Sequence, residues 1–151
     1  MTTPIHRLIK HRREQLGIGI AELARRIGVP TSEYWDVELY DDELTVALPL
    51  ENVRALAAIL GFDLGILLRL GSLVGWPTSS SKPRHTIVVE ARAKLGVSTS
   101  KMIEDIGFDD AFLRRIETDG KALESYPYDV LRIVANYLNL DPRELLCAPH
   151  K

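Results

Sequence analysis

The chain repeats itself, and this limits its fold more than any other feature. Arg13, Leu16-Gly17-Ile18, Leu23, Ile27-Gly28 and Val37-Glu38 recur 79 residues later as Arg92, Leu95-Gly96-Val97, Met102, Ile106-Gly107 and Ile116-Glu117. Beyond the next loop the spacing falls to 78. Pro49 then meets Pro127, Arg54 meets Arg132, Ala57 meets Ala135, Leu60 meets Leu138, Asp63 meets Asp141, and Leu67-Leu68 meets Leu145-Leu146. A single-residue deletion in that loop accounts for the change. The matches fall at the glycine, proline and apolar positions that set a fold, which marks an internal duplication. A chain of 151 residues built this way is two small domains, each with its own core. Between the copies, Gly71 to Pro83 is rich in Gly, Ser and Pro. The expected plan is a domain over 1–71, a linker over 72–83 and a second domain over 84–151.

Within each copy the apolar residues recur at helical spacing. Ile5, Leu8, Ile9, Arg12 and Leu16 trace a first helix, and Leu23, Ala24 and Ile27 form one face of a second. Gly28 suits the turn that follows, because glycine takes positive φ without steric cost. A third helix is expected from Thr31 or Ser32, with a hydroxyl as its cap and with Tyr34 and Val37 buried. Pro49 opens a fourth, with Leu50, Val53, Leu56, Ala57 and Leu60 as its stripe. Asp63 caps a fifth carrying Leu64, Leu67 and Leu68. The second copy follows the same plan from Arg84, with Ser98 and Asp109 as caps and Asp141-Pro142 opening its last helix. His85 to Glu90 contains a β-branched run but lines up with a helical segment, so it too is read as helix. The expected class is all-α, with five helices per copy.

Composition excludes several functions. At 46% hydrophobic and 26% charged residues the chain is neither disordered nor fibrous. Its 19 Lys and Arg against 21 Asp and Glu rule out a uniformly basic protein that coats nucleic acid, though not a local basic patch. The lone Cys147 cannot close an internal disulfide, and no secretory signal is visible, so the cytoplasm is the expected compartment. The apolar run from Leu64 to Val74 is too short to span a bilayer and contains Arg69. His6, His11, His85 and His150 are scattered without zinc spacing. The acids from Asp36 to Glu43 lack the spacing and glycine of a calcium loop. With no phosphate-binding glycine loop either, no enzyme activity, cofactor or metal is expected.

Arg12-Arg13-Glu14-Gln15-Leu16-Gly17-Ile18 is followed by Glu22-Leu23-Ala24-Arg25-Arg26-Ile27-Gly28-Val29. Val37-Glu38 closes the third helix, and Leu56-Ala57 with Leu60-Gly61 closes the fourth. Over residues 5–70 this pattern resembles the Xre/Cro-type helix-turn-helix family; over 84–147 the resemblance rests mainly on the match to the first copy. It implies two tandem five-helix, lambda-repressor-like bundles that bind duplex DNA sequence-specifically and regulate transcription. The third helix of each would enter the major groove. Carried over residue by residue, the resemblance puts Thr31 and Ser32 at the DNA in the first copy, with Arg7 or Arg13 on phosphates. In the second copy it puts Thr99 and Lys101 at the start of the second helix, and Arg114 and Arg115 on the third. Arginine is the usual reader of guanine. Two reading units in one chain would stand in for the dimer that spans two half-sites.

The first copy departs from the family pattern. Gly19-Ile20-Ala21 offers neither the hydroxyl nor the amide that family members often place there. Trp35 stands where a small polar residue is usual, Glu33 and Asp36 lie on the side that would face DNA, and Asp41-Asp42-Glu43 follow. Residues 1–71 hold 8 Lys and Arg against 10 Asp and Glu, and residues 84–151 hold 10 against 11. Neither copy has the cation excess of a strong DNA binder. A second function is therefore open: a protein-binding module on the same fold, of the antitoxin or immunity kind. Its contact surface for a basic protein partner would be Glu33, Trp35, Asp36, Tyr40, Asp41 and Asp42. One or two of the rings of Tyr34, Trp35 and Tyr40 are expected in the core.

Overall fold

The computed structural model describes residues 3–74 and 82–149. The chain divides into two compact units, Met1–Val74 and Gly75–Lys151. Residues 75–81, with Trp76 and most of the expected linker, lie outside the described residues. The described residues are all-α, without a strand, and no helix among them is long and apolar enough to cross a membrane.

The first unit contains α1 (Ile5–Gln15), α2 (Ile20–Ile27), α3 (Thr31–Leu39), α4 (Glu43–Val46), α5 (Leu50–Leu60) and α6 (Leu64–Leu67). α3 packs on α1 and α2, while α5 packs on α1, α2 and α6. Ile9, Leu23, Tyr34, Val37, Val53, Leu56, Leu60 and Leu67 meet in the core. Their spacing within each helix is the stripe expected of an amphipathic segment with one side buried. The short α4 was not expected. The chain between α3 and α5 must carry Leu44 and Leu48 into the core, and one helical turn does so while pairing the backbone.

The second unit contains α7 (Arg84–Leu95), α8 (Thr99–Ile106), α9 (Asp110–Thr118), a 3₁₀ turn (Ala122–Ser125), α10 (Tyr128–Tyr137) and α11 (Pro142–Cys147). α9 packs on α7 and α8, and α10 packs on α8 and α11. The 3₁₀ turn occupies the place that α4 holds in the first unit, and it too buries its apolar residues, Ala122 and Leu123.

The caps show which local signals hold. Ser98, Asp109 and Asp141 each accept a backbone N–H at the start of their helices, as expected. α3 differs: Pro30 is its cap residue, no side chain caps it, and Thr31 and Ser32 are left exposed on its first turn. Proline presets φ for the helix start but offers no acceptor, so the first-turn N–H groups of α3 have no side-chain cap. Gly61 takes φ 74° at the end of α5, and Asn139, 78 residues later, takes φ 58° at the same place in the second unit. Asparagine is the residue after glycine that best tolerates this left-handed conformation.

Asp63 does more than cap α6. Its carboxylate accepts from the Gly65 N–H at 2.8 Å, the Ser72 hydroxyl at 2.7 Å, the Leu73 N–H at 3.1 Å and the Val74 N–H at 3.3 Å. The first residues of the expected linker are thereby fastened to the first unit. The Ser72 bond, followed by that from Leu73, holds the Asp63 carboxyl below the usual range. A lowered folded-state pKa gives stability that is present above the ordinary aspartate value, about 3.9, and is lost as pH falls through the folded value. The Leu73 and Val74 amides are therefore expected to stay protected from hydrogen exchange down to about pH 4 and to lose protection below it. In Asp63→Ala they should exchange freely at every pH; protection in that variant would show that the carboxylate does not hold the segment.

Candidate recognition surfaces of the third helices

Each third helix is pinned from inside by the same tie. In the first unit Arg13, in the last turn of α1, is only 7% exposed. Its Nε donates to Glu38 Oε1 at 2.5 Å and its Nη2 to Glu38 Oε2 at 3.1 Å, while Nη1 donates to the Ile18 carbonyl at 2.8 Å. Tyr34 adds its hydroxyl to Glu38 Oε1 at 2.6 Å. The bond to Glu38 raises the Arg13 pKa, and burial followed by the same carboxylate pushes the Tyr34 phenol up. The second unit repeats the arrangement 79 residues on. Arg92 Nε donates to Glu117 Oε1 at 2.5 Å and Nη1 to the Val97 carbonyl at 3.0 Å. Leu113 stands where Tyr34 does, so the hydroxyl is missing there. In each unit one guanidinium thus ties the first helix, the following turn and the far end of the third helix together.

This corrects the expectation for Arg13. Of the two alternatives for a phosphate, Arg7 or Arg13, the Arg13 guanidinium is committed to a buried carboxylate and a turn carbonyl. Its neighbour Arg12 also turns inward, with Nε donating to the Leu60 carbonyl at 2.9 Å at the end of α5. Of the basic residues on α1, Arg7, Lys10 and His11 remain exposed. Sequence inspection missed the tie although its signal was present: an arginine and a glutamate both recur at one offset, and neither is a turn or apolar residue.

With Tyr34, Val37 and Glu38 facing inward, the outward arc of α3 consists of Thr31, Ser32, Glu33, Trp35, Asp36 and Leu39. The ring expected in the core is Tyr34; Trp35 is 50% exposed and Tyr40 55%. Leu39, one turn beyond Trp35 and not singled out from sequence, is 48% exposed. Asp41 accepts from the backbone and ring nitrogens of His6 and pairs with Arg69. Burial works to raise the Asp41 carboxyl, but the hydrogen bonds from His6 and the charge of Arg69 outweigh it and hold it low. Asp42 is exposed, and its carbonyl accepts from α4.

The same arc of α9 carries different chemistry. Arg114 and Arg115 occupy the positions of Trp35 and Asp36, and both are exposed. Arg114 Nη2 lies 2.8 Å from Asp110 Oδ2, an i,i+4 pair in which both side chains are largely in water. Such pairs are worth well under about 1 kcal/mol and exchange readily for another anion. Arg115 is held more firmly. Its guanidinium lies 5.7 Å from the centre of the Tyr126 ring and donates to the Tyr126 hydroxyl at 3.3 Å. That ring packs edge-on against Phe112, which in turn stacks on Phe108. Phe112 stands where α3 has the exposed Glu33. At the start of α8, Thr99, Ser100 and Lys101 are exposed, and Lys101 Nζ lies 3.0 Å from Asp105. Among the described residues no three His, Cys, Asp or Glu side chains come together to hold a metal ion.

No family model matches the chain, and no curated protein or solved structure matches it either.

Proposed function

We propose that both units are helix-turn-helix bundles of the Xre type and that the chain is a DNA-binding transcriptional regulator, with the second unit as its reader. The observation that carries this reading is the pair Arg114 and Arg115 on the outward arc of α9, one of them braced by Tyr126. A guanidinium fixed on a ring loses little freedom on meeting a base edge, and arginine presents the fork that guanine O6 and N7 accept. α8 packs on α9 and begins with exposed hydroxyls and Lys101, which suits a phosphate at a helix N-terminus. In the first unit only Thr31, Ser32 and Arg7 remain of the expected contacts, beside Glu33 and Asp36. That unit contributes little to DNA affinity in this reading.

The test is selection of duplex fragments on the intact chain, followed by fluorescence anisotropy of the selected site across a salt series. Binding should weaken steeply with salt, as phosphate contacts require. Arg114→Ala with Arg115→Ala should weaken the selected site about a hundredfold and abolish its preference over unselected duplex. Tyr126→Phe, which removes one bond to Arg115 but leaves the ring, should cost only about threefold to tenfold. Absence of duplex binding at about 50 mM salt overturns the reading.

A further inference from the structure

We propose that the outward arc of α3 in the first unit docks a cationic amphipathic helix of a protein partner, an activity separate from DNA reading by the second unit. Trp35 and Leu39 lie one turn apart on one face, each about half exposed. Tyr40 and Val46, just beyond on the chain, are also more than half exposed. Single exposed apolar residues are ordinary on a protein surface. A tryptophan with a leucine one turn away is different, because it forms the i,i+4 stripe that a partner helix covers, and tryptophan is the residue most enriched at binding hot spots.

Charge identifies the occupant. No Lys or Arg occurs between Arg26 and Arg54, a stretch that holds Glu33, Asp36, Glu38, Asp41, Asp42, Glu43 and Glu51. From elsewhere in the unit Arg13 reaches Glu38, and His6 and Arg69 reach Asp41. Glu33, Asp36 and Asp42 then set the charge around the stripe. A phosphate backbone is repelled by such a face. Two copies of the arc placed face to face would bring the same acids together. A helix with leucines on one side and lysines or arginines flanking them satisfies both the apolar stripe and its rim.

The test uses the full chain carrying Trp76→Phe, so that Trp35 is the only tryptophan, titrated with designed peptides. A Leu/Lys amphipathic peptide should shift Trp35 emission to the blue and saturate at one peptide per chain. Its Leu/Glu counterpart and a scrambled Leu/Lys peptide of the same composition should not. Leu39→Glu, with unchanged helical circular dichroism, should weaken binding about thirtyfold. Glu33→Lys with Asp36→Lys should transfer the preference to the Leu/Glu peptide. No saturable shift, or an equal response to the scrambled peptide, overturns the proposal. So does a blue shift on raising the protein concentration alone, which would assign the face to a second copy, or the same shift with duplex DNA. Because Arg114 and Arg115 are intact in all these variants, loss of peptide binding is distinguishable from loss of DNA reading.

Discussion

Glu38→Ala is expected to destabilise the first unit by about 3–5 kcal/mol, a large part of what a domain of this size has to spare. The cost comes from what remains behind. Arg13 keeps a full charge at a site 7% exposed, with only the Ile18 carbonyl and the long, largely solvated contact to Glu14 at 3.9 Å to compensate it. The Tyr34 hydroxyl, fully buried, loses its acceptor in the same step. Removing both charges together, as Arg13→Met with Glu38→Leu, should be milder, because no buried charge is left unpaired, although the Tyr34 hydroxyl and the Ile18 carbonyl still lose their partners. Glu117→Ala tests the cause. Its arginine is more exposed, at 19% of the side chain against 9% for Arg13, and no tyrosine shares the carboxylate. Its cost should be smaller. Hydrogen exchange of the Ile9 and Val53 amides reads the first unit, and that of Leu131 and Val134 reads the second. Equal costs for Glu38→Ala and Glu117→Ala would mean that burial does not set the strength of the tie.

The second unit has a deeper charge of its own, and Arg84→Ala is expected to cost about 3–5 kcal/mol there. Arg84 opens α7 yet is only 1% exposed. Its Nε donates to the Leu145 carbonyl at 2.8 Å in α11, and its Nη1 reaches Glu124 Oε2 at 3.2 Å and the Gly120 carbonyl at 3.3 Å. One side chain therefore joins the start of α7, the 3₁₀ turn and the last helix. Its removal leaves the Glu124 carboxylate buried without that cation and opens a cavity the length of an arginine stem. The amides of α10 should lose protection while those of α5 keep theirs. A loss confined to the first turn of α7 would show that Arg84 is only a local anchor.

What could be read from the sequence divides along physical lines. Position-specific backbone signals were legible: Gly28 and Gly107 end their helices in the left-handed region, and Ser98, Asp109 and Asp141 cap theirs. These depend on neighbours a few residues away. The short helical turns between the third and fourth long helices were not legible, because four residues carry too little periodicity to declare a helix. The fate of arginines was also hidden. Nothing near Arg13 or Arg84 in the chain announces a carboxylate 25 or 40 residues away, and nothing near Arg12 announces the Leu60 carbonyl. The ring that enters the core, Tyr34 rather than Trp35, was legible, because helix phase puts Tyr34 and Val37 on one face. For the candidate surfaces the sequence supplied Trp35, Arg114 and Arg115. It did not supply Leu39 beside the first, or Tyr126 beneath the last.

The inner tie has a consequence for how the two copies were able to diverge. A helix clamped by its buried side keeps its position whatever its outer residues become, so mutations on the outer arc escape selection for folding. Thr31, Trp35, Asp36 and Leu39 correspond to Asp110, Arg114, Arg115 and Thr118, and no identity survives among them, while the arginine and glutamate of the tie are retained in both copies. Two frames that share this tie can then differ in the charge they present outward without either losing its fold.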